Sequence, residues 1–160
     1  MIKYSSQILL AAASTAIALS PLGGEALAAP AEVKMLNVGS DGEATEFEPA
    51  IIWVGPGTSA DFIAEDFGHD AVAVAGLIPE GAEKFEGYKN SDLSVTFEQE
   101  GVYVYECTSH QGAGMIGVVV VGNANTNLSA IEAAYSGNAV LSKKAKEKLQ
   151  LLLERVKAGA

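Results

Sequence analysis

The stretch Val102-Tyr103-Val104-Tyr105-Glu106-Cys107-Thr108-Ser109-His110-Gln111-Gly112-Ala113-Gly114-Met115, followed at once by the run Val118-Val119-Val120-Val121, carries both the fold and its chemistry. In Val102 to Cys107 the two-residue period of a strand sets Tyr103, Tyr105 and Cys107 on one face and Val102, Val104 and Glu106 on the other. Glu106 favours solvent, so Cys107 is expected to point inward at a strand end. Gly112 and Gly114 then allow the chain to turn back, and Met115 opens a return strand.

Outward from this hairpin, the segment from Glu32 to about Val121 reads as short strands rich in Val, Ile, Phe and Tyr. Val33–Leu36, Ala50–Val54, Thr58–Ile63, Ala71–Val74 and Leu93–Phe97 join Val102–Cys107 and Val118–Val121 as candidates. Gly55-Pro56-Gly57 and Glu100-Gly101 supply turn chemistry between them. Strands of this length and spacing indicate a mainly β sandwich or barrel. After Gly122 the period becomes helical. Ser129 and Glu132 fit a capping box, Gly137 fits a stop, and Leu141, Ala145, Leu149, Leu152 and Val156 form one apolar stripe. Two helices are expected, at about 128–136 and 139–157, covering one sheet. Lys143, Lys144, Lys146 and Lys148 fall largely off that stripe and read as a solvated face.

At the other end, Lys3, the apolar stretch Ile8–Leu19 and the small residues of Ala26-Leu27-Ala28 resemble a secretory signal peptide over residues 1–28, leaving one domain over 29–160. The apolar stretch falls short of the roughly 20 residues needed to span a bilayer. Pro21, Gly23 and Gly24 interrupt it further, so no membrane association is expected after cleavage. The 160 residues hold 10 basic and 20 acidic side chains, a net charge of −10. This balance argues against nucleic acid as a partner, because a phosphate backbone calls for clustered Lys and Arg. Cys107 is the only cysteine. An exported protein with one thiol cannot close an intramolecular disulfide and needs another reason to carry it.

That reason lies in how few metal-binding side chains there are and where they stand. Beyond residue 28 the chain holds two histidines, one cysteine and two methionines. His69 sits in Phe67-Gly68-His69-Asp70, while Cys107, His110 and Met115 follow as Cys-x2-His-x4-Met. Taken singly, each has an ordinary reading: a buried apolar cysteine, a core methionine, a hydrogen-bonded histidine. Jointly they form the donor set of a blue-copper electron-transfer centre, two imidazoles and a thiolate with a weak thioether. Zinc sites want four Cys or His ligands, or three strong ligands and water. Iron–sulfur clusters and covalent c-type haem need more cysteines than one.

The chain resembles the pseudoazurins, of the cupredoxin family of small blue copper proteins, over roughly Glu32 to Val156. The likeness rests on Met35-Leu36-Asn37, Phe47-Glu48-Pro49-Ala50, Gly68-His69, Gly76-Leu77-Ile78-Pro79-Glu80-Gly81-Ala82-Glu83, Gly101-Val102-Tyr103, Cys107-Thr108-x-His110-x-Gly112-x-Gly114-Met115, Gly117-Val118-Val119 and the two C-terminal helices. It implies a cupredoxin-type Greek-key β-sandwich. It also implies one type 1 copper ion held by His69, Cys107, His110 and Met115. The function implied is single-electron shuttling in the periplasm, in many relatives to a nitrite or nitrous oxide reductase, with no substrate bond broken and hence no enzyme activity. Redox proteins, a c-type cytochrome or a copper reductase, would dock transiently near His110 on a monomer. Met35, Ile78, Pro79, Ala113 and Ile116 are the expected rim of that docking surface.

Several departures from the family pattern fall near the site. Ser109, Gln111 and Ala113 stand where pseudoazurins commonly carry Pro, Tyr and a second Met, and Asp70 replaces the usual Asn after the first histidine. Positions that resemble the family's ring of lysines hold Val38, Phe67 and Glu106. A copper-handling protein is the alternative reading, but such proteins more often use clusters of Met and His. A copper enzyme domain would need a second copper site, for which no further histidine remains beyond residue 28.

Overall fold

The computed structural model describes residues 30–159; the expected signal peptide lies outside the described residues. Eight strands come first: β1 (Ala31–Val38), β2 (Ala44–Glu48), β3 (Ile51–Val54), β4 (Thr58–Ile63), β5 (Val72–Ala73), β6 (Leu93–Phe97), β7 (Gly101–Glu106) and β8 (Ile116–Val121). Two helices follow, α1 (Leu128–Tyr135) and α2 (Lys143–Gly159), with 3-10 turns at Gln111–Ala113 and Ala124–Thr126. From β2 to β7 the chain alternates between two four-stranded sheets, ordered β2-β1-β4-β6 and β3-β8-β7-β5. Each sheet is mixed: β1 runs parallel to β4 and β3 to β8, while the other neighbours are antiparallel. The result is the Greek-key β-sandwich that the strand spacing and family likeness anticipated.

The two sheets meet different environments, and their residues differ accordingly. The sheet holding β1 and β4 faces water on one side, so its strands alternate: Val33, Met35, Ala60 and Phe62 point into the sandwich and their neighbours do not. Opposite them, Tyr103, Tyr105, Val119 and Val121 close the core, with Tyr105 edge-on to Phe47 at 4.7 Å and to Phe62 at 5.0 Å. The second sheet is covered on both faces. Val102, Val104, Ile116, Val118 and Val120 turn outward onto Leu128, Ile131, Leu149, Leu152, Leu153 and Val156 of the helices. Every residue of β7 and β8 is therefore buried. The expected parity of β7 holds, but the expectation that Glu106 reaches solvent does not: it is 5% exposed, because the helical layer covers the face it occupies.

Local chemistry explains the helix ends. Asn127 precedes α1, so Ser129 lies within the first turn and cannot cap it as the Ser129–Glu132 box supposed. The Asn127 side chain binds β7 instead, accepting from Val102 N at 2.7 Å and donating to Val102 O at 2.9 Å. The second helix, expected from 139, begins at Lys143. Asn138 Oδ1 first accepts from Val140 N and Leu141 N, and Ser142 Oγ accepts from Ala145 N at 3.1 Å as the cap. All five stripe residues, Leu141, Ala145, Leu149, Leu152 and Val156, are buried as their spacing required. Among the lysines opposite, Lys148 pairs with Glu46 of β2 and so ties α2 to the other sheet.

Candidate metal centre

Two separate pieces of chain deliver donor atoms to one end of the sandwich. Cys107 follows β7, His110 starts the 3-10 turn, and Met115 precedes β8, while His69 arrives from the loop between β4 and β5. Cys107 N donates to Met115 O at 3.1 Å, continuing the β7–β8 ladder one step past its last strand pair. Between them the loop bonds itself. His110 N donates to Cys107 O, Ala113 N and Met115 N both donate to His110 O, and Gly114 takes the left-handed φ of 95° that lets Met115 return.

The atoms converge closely. Cys107 Sγ lies 3.8 Å from His69 Nδ1 and 3.4 Å from His110 Nδ1, and the donor atoms of these three residues all fall within 4.8 Å of one another. The imidazole centroids are 4.7 Å apart. His69, Cys107 and Met115 are fully buried; His110 is partly exposed. Gly68, just before His69, takes a left-handed φ of +102°, a conformation that glycine adopts without strain, and lies beside the His110 ring.

Surrounding groups orient the donors. Asn37 Oδ1 pairs with His69 Nε2 at 3.1 Å, which assigns the ring proton to Nε2 and leaves Nδ1 with a free lone pair facing the sulfur. Burial, and then the neighbouring His110, push the His69 pKa down, which keeps that lone pair unprotonated. Burial likewise pushes the Cys107 thiol up, as does the charge of Asp70, while the backbone of Asp70, Ser109 and His110 acts in the opposite direction. Asp70 itself is 6% exposed; its carboxylate accepts from both Thr108 N, at 2.7 Å, and the Thr108 hydroxyl. Glu106, buried beside it, is pushed up to about 7 by desolvation and by Asp70's charge.

The chemistry of this donor set fits copper. A buried sulfur with two imidazole nitrogens and a thioether residue beside it is a soft donor set with no carboxylate among its donors, unsuited to calcium or magnesium and short of the ligands structural zinc prefers. All four candidate residues are thus brought to one end of the molecule. Most of the expected rim is not exposed there. Met35 and Ile116 are fully buried, Met35 in the sandwich core and Ile116 under α2. Pro79 lies against Gly101, where a Cβ would come within 2.9 Å of Pro79 Cγ, so Ile78 and Pro79 sit at the far end of β7 from Cys107. Only Ala113 of that set is exposed beside His110. The large apolar side chains exposed near the site are Phe67, 83% exposed and next to Gly68, and Val38, 59% exposed and next to Asn37. Asn37 and Thr108 escape a reading of spacing, because their partners lie 32 and 38 residues away.

Residues 33–122 match the family described as copper binding proteins, plastocyanin/azurin family. Over 144 residues the chain is 38% identical to a pseudoazurin from Paracoccus pantotrophus, an alignment spanning 90% of this chain and 95% of that one. Among solved structures, a Sinorhizobium pseudoazurin superposes with a TM-score of 0.75 at 37% identity, covering 82% of this chain and 98% of its own. A pseudoazurin from Methylobacterium extorquens AM1 gives 0.72 at 32% identity, covering 80% and 99%.

Proposed function

The chain belongs to the plastocyanin/azurin family of copper-binding proteins, and on that premise we propose that it is a periplasmic electron carrier, not an enzyme, in which His69, Cys107, His110 and Met115 hold the copper. The observation that carries this reading is the convergence of His69, Cys107 and His110 donor atoms within 4.8 Å, with one of the two imidazoles at the surface. Bound copper supplies one-electron chemistry, alternating between Cu(II) and Cu(I). The protein's part is to hold the donors still. Asn37 fixes the His69 ring, and the β7–β8 ladder with the internally bonded loop fixes Cys107, His110 and Met115, so little rearrangement accompanies each transfer. His110 is the port through which the electron passes, within an apolar surface of Phe67, Val38 and Ala113 suited to brief contacts.

The partner is a redox protein with a basic or largely apolar docking face, such as a c-type cytochrome. The net charge of −10, and the absence of lysine at Val38 and Phe67, support that choice over an acidic reductase surface. The leader-like residues 1–28 support export, and among the described residues no helix is long and apolar enough to cross a membrane. Adding Cu(II) to the metal-free protein is the direct test. An intense blue colour bleached by ascorbate is expected; a colourless complex would favour copper handling and overturn the carrier.

A further inference from the structure

Gln111 follows His110 directly and opens the turn between His110 and Met115, yet it is held by a part of the molecule that contributes no donor atom. Its side-chain amide donates to Val140 O at 2.8 Å, its side-chain carbonyl accepts from Ser142 N at 2.8 Å, and its backbone carbonyl accepts from the Ser142 hydroxyl at 2.6 Å. Ser142 is also the cap of α2, receiving Ala145 N. One residue of the turn is therefore bonded at three points to the start of the helix. Gly114, three residues on, lies against the same helix: a Cβ there would stand 3.5 Å from both Cβ and O of Lys144. α2 is itself anchored, with Ala145, Leu149, Leu152 and Val156 buried on the outer face of the β7–β8 sheet.

The turn thus has two independent attachments. Its ends are held by the strand ladder, and its middle by a rigid helix packed on that same sheet. Without the second attachment, the bonds from His110 N, Ala113 N, Gly114 N and Met115 N to carbonyls within the turn would be left to resist its opening. We propose that Gln111 is a positioning residue for the metal centre, clamping the turn to the N-terminal end of α2 so that His110 and Met115 are presented in one fixed arrangement. The C-terminal helices then do more than cover a sheet: α2 is a splint for the donor loop. This inference rests on reading His110 and Met115 as copper ligands, but the clamp itself can be tested without the metal.

Amide hydrogen exchange on the copper-free protein is the first measurement. Two side-chain hydrogen bonds are lost in Gln111→Ala, so exchange at Ala113, Gly114 and Met115 is expected to accelerate on the order of tenfold while Val119 in β8 keeps its wild-type rate. Unchanged exchange in the loop overturns the clamp, and equal acceleration at Val119 reduces it to ordinary stability. The second measurement is copper loss from the loaded protein to a chelator, expected to quicken several-fold in the variant. Loop exchange that accelerates with no change in copper loss would leave Gln111 a structural residue only and overturn the positioning role. If Gln111→Ala does not fold, Gln111→Glu removes the donation to Val140 O while leaving the Ser142 cap of α2 intact, and is read in the same two ways. Failure of the wild-type protein to take up copper would instead overturn the ligand assignment, a result separate from the exchange data.

Discussion

Cys107 and its buried neighbour Asp70 show how much of the site depends on single atoms. A carboxylate in an environment this dry is retained only with partners, and Asp70 has two from Thr108, at Oδ1 and Oδ2. Its negative charge next to the donor set favours the more positive oxidation state. Asp70→Asn keeps an acceptor for Thr108 N and removes the charge, so the reduction potential is expected to rise by several tens of millivolts, on the order of 1 kcal/mol for one electron, with the melting temperature little changed. Voltammetry of the two proteins decides it; an unchanged potential removes Asp70 from the tuning of the site. The four candidate donors could be proposed from residue type and spacing, since a single cysteine, both histidines and a methionine fall into one pattern. Their supports were not. Asn37 and Thr108 are ordinary polar residues until the fold sets them against His69 and Asp70.

For the strands and helices, periodicity was a reliable guide to which face is which and a poor one to what covers it. The alternation in β7 correctly sent Tyr103, Tyr105 and Cys107 inward. The same alternation misjudged Glu106, since the other face of β7 lies beneath α1 and α2 instead of in water. The register explains Gly117 as well. It stands opposite Tyr105, and a Cβ there would lie 2.3 Å from the ring, so the aromatic core of the sandwich depends on that absent side chain. The apolar stripe of α2 carries most of the attachment of the helical layer. Leu149 is fully buried at its centre, so Leu149→Ala is expected to cost about 3 kcal/mol and lower the urea midpoint while the copper colour persists. A loss below about 1 kcal/mol would mean that the helix is held mainly by its polar ties, such as Lys148 to Glu46.

Viewed whole, the molecule is electrically lopsided. Residues 128–159 carry six basic and three acidic side chains, whereas residues 30–127 carry three basic and sixteen acidic. The β-sandwich bearing His110 is thus strongly negative, and its encounter with a basic cytochrome is expected to slow as salt rises in stopped-flow measurements, because ions screen the attraction beyond about 10 Å at 0.1 M and at shorter range as salt rises further. A rate indifferent to salt would remove steering and leave the apolar contact of Phe67 and Val38 as the basis of docking. Fold class, sheet parity, helical stripe, charge and the candidate donor set could all be read from residue order, because each follows from local periodicity, composition or the rarity of a few residue types. The exposed apolar surface near His110 could not. Ile78 and Pro79 belong to the same motif-rich region as the donors but fold to the opposite end of β7, while Phe67 and Val38 come from separate segments joined through Gly68, Asp66 and Asn37. Nor could the splint formed by Gln111 and Ser142, 31 residues apart, since long-range contacts arise only when packed layers bring distant backbone into register.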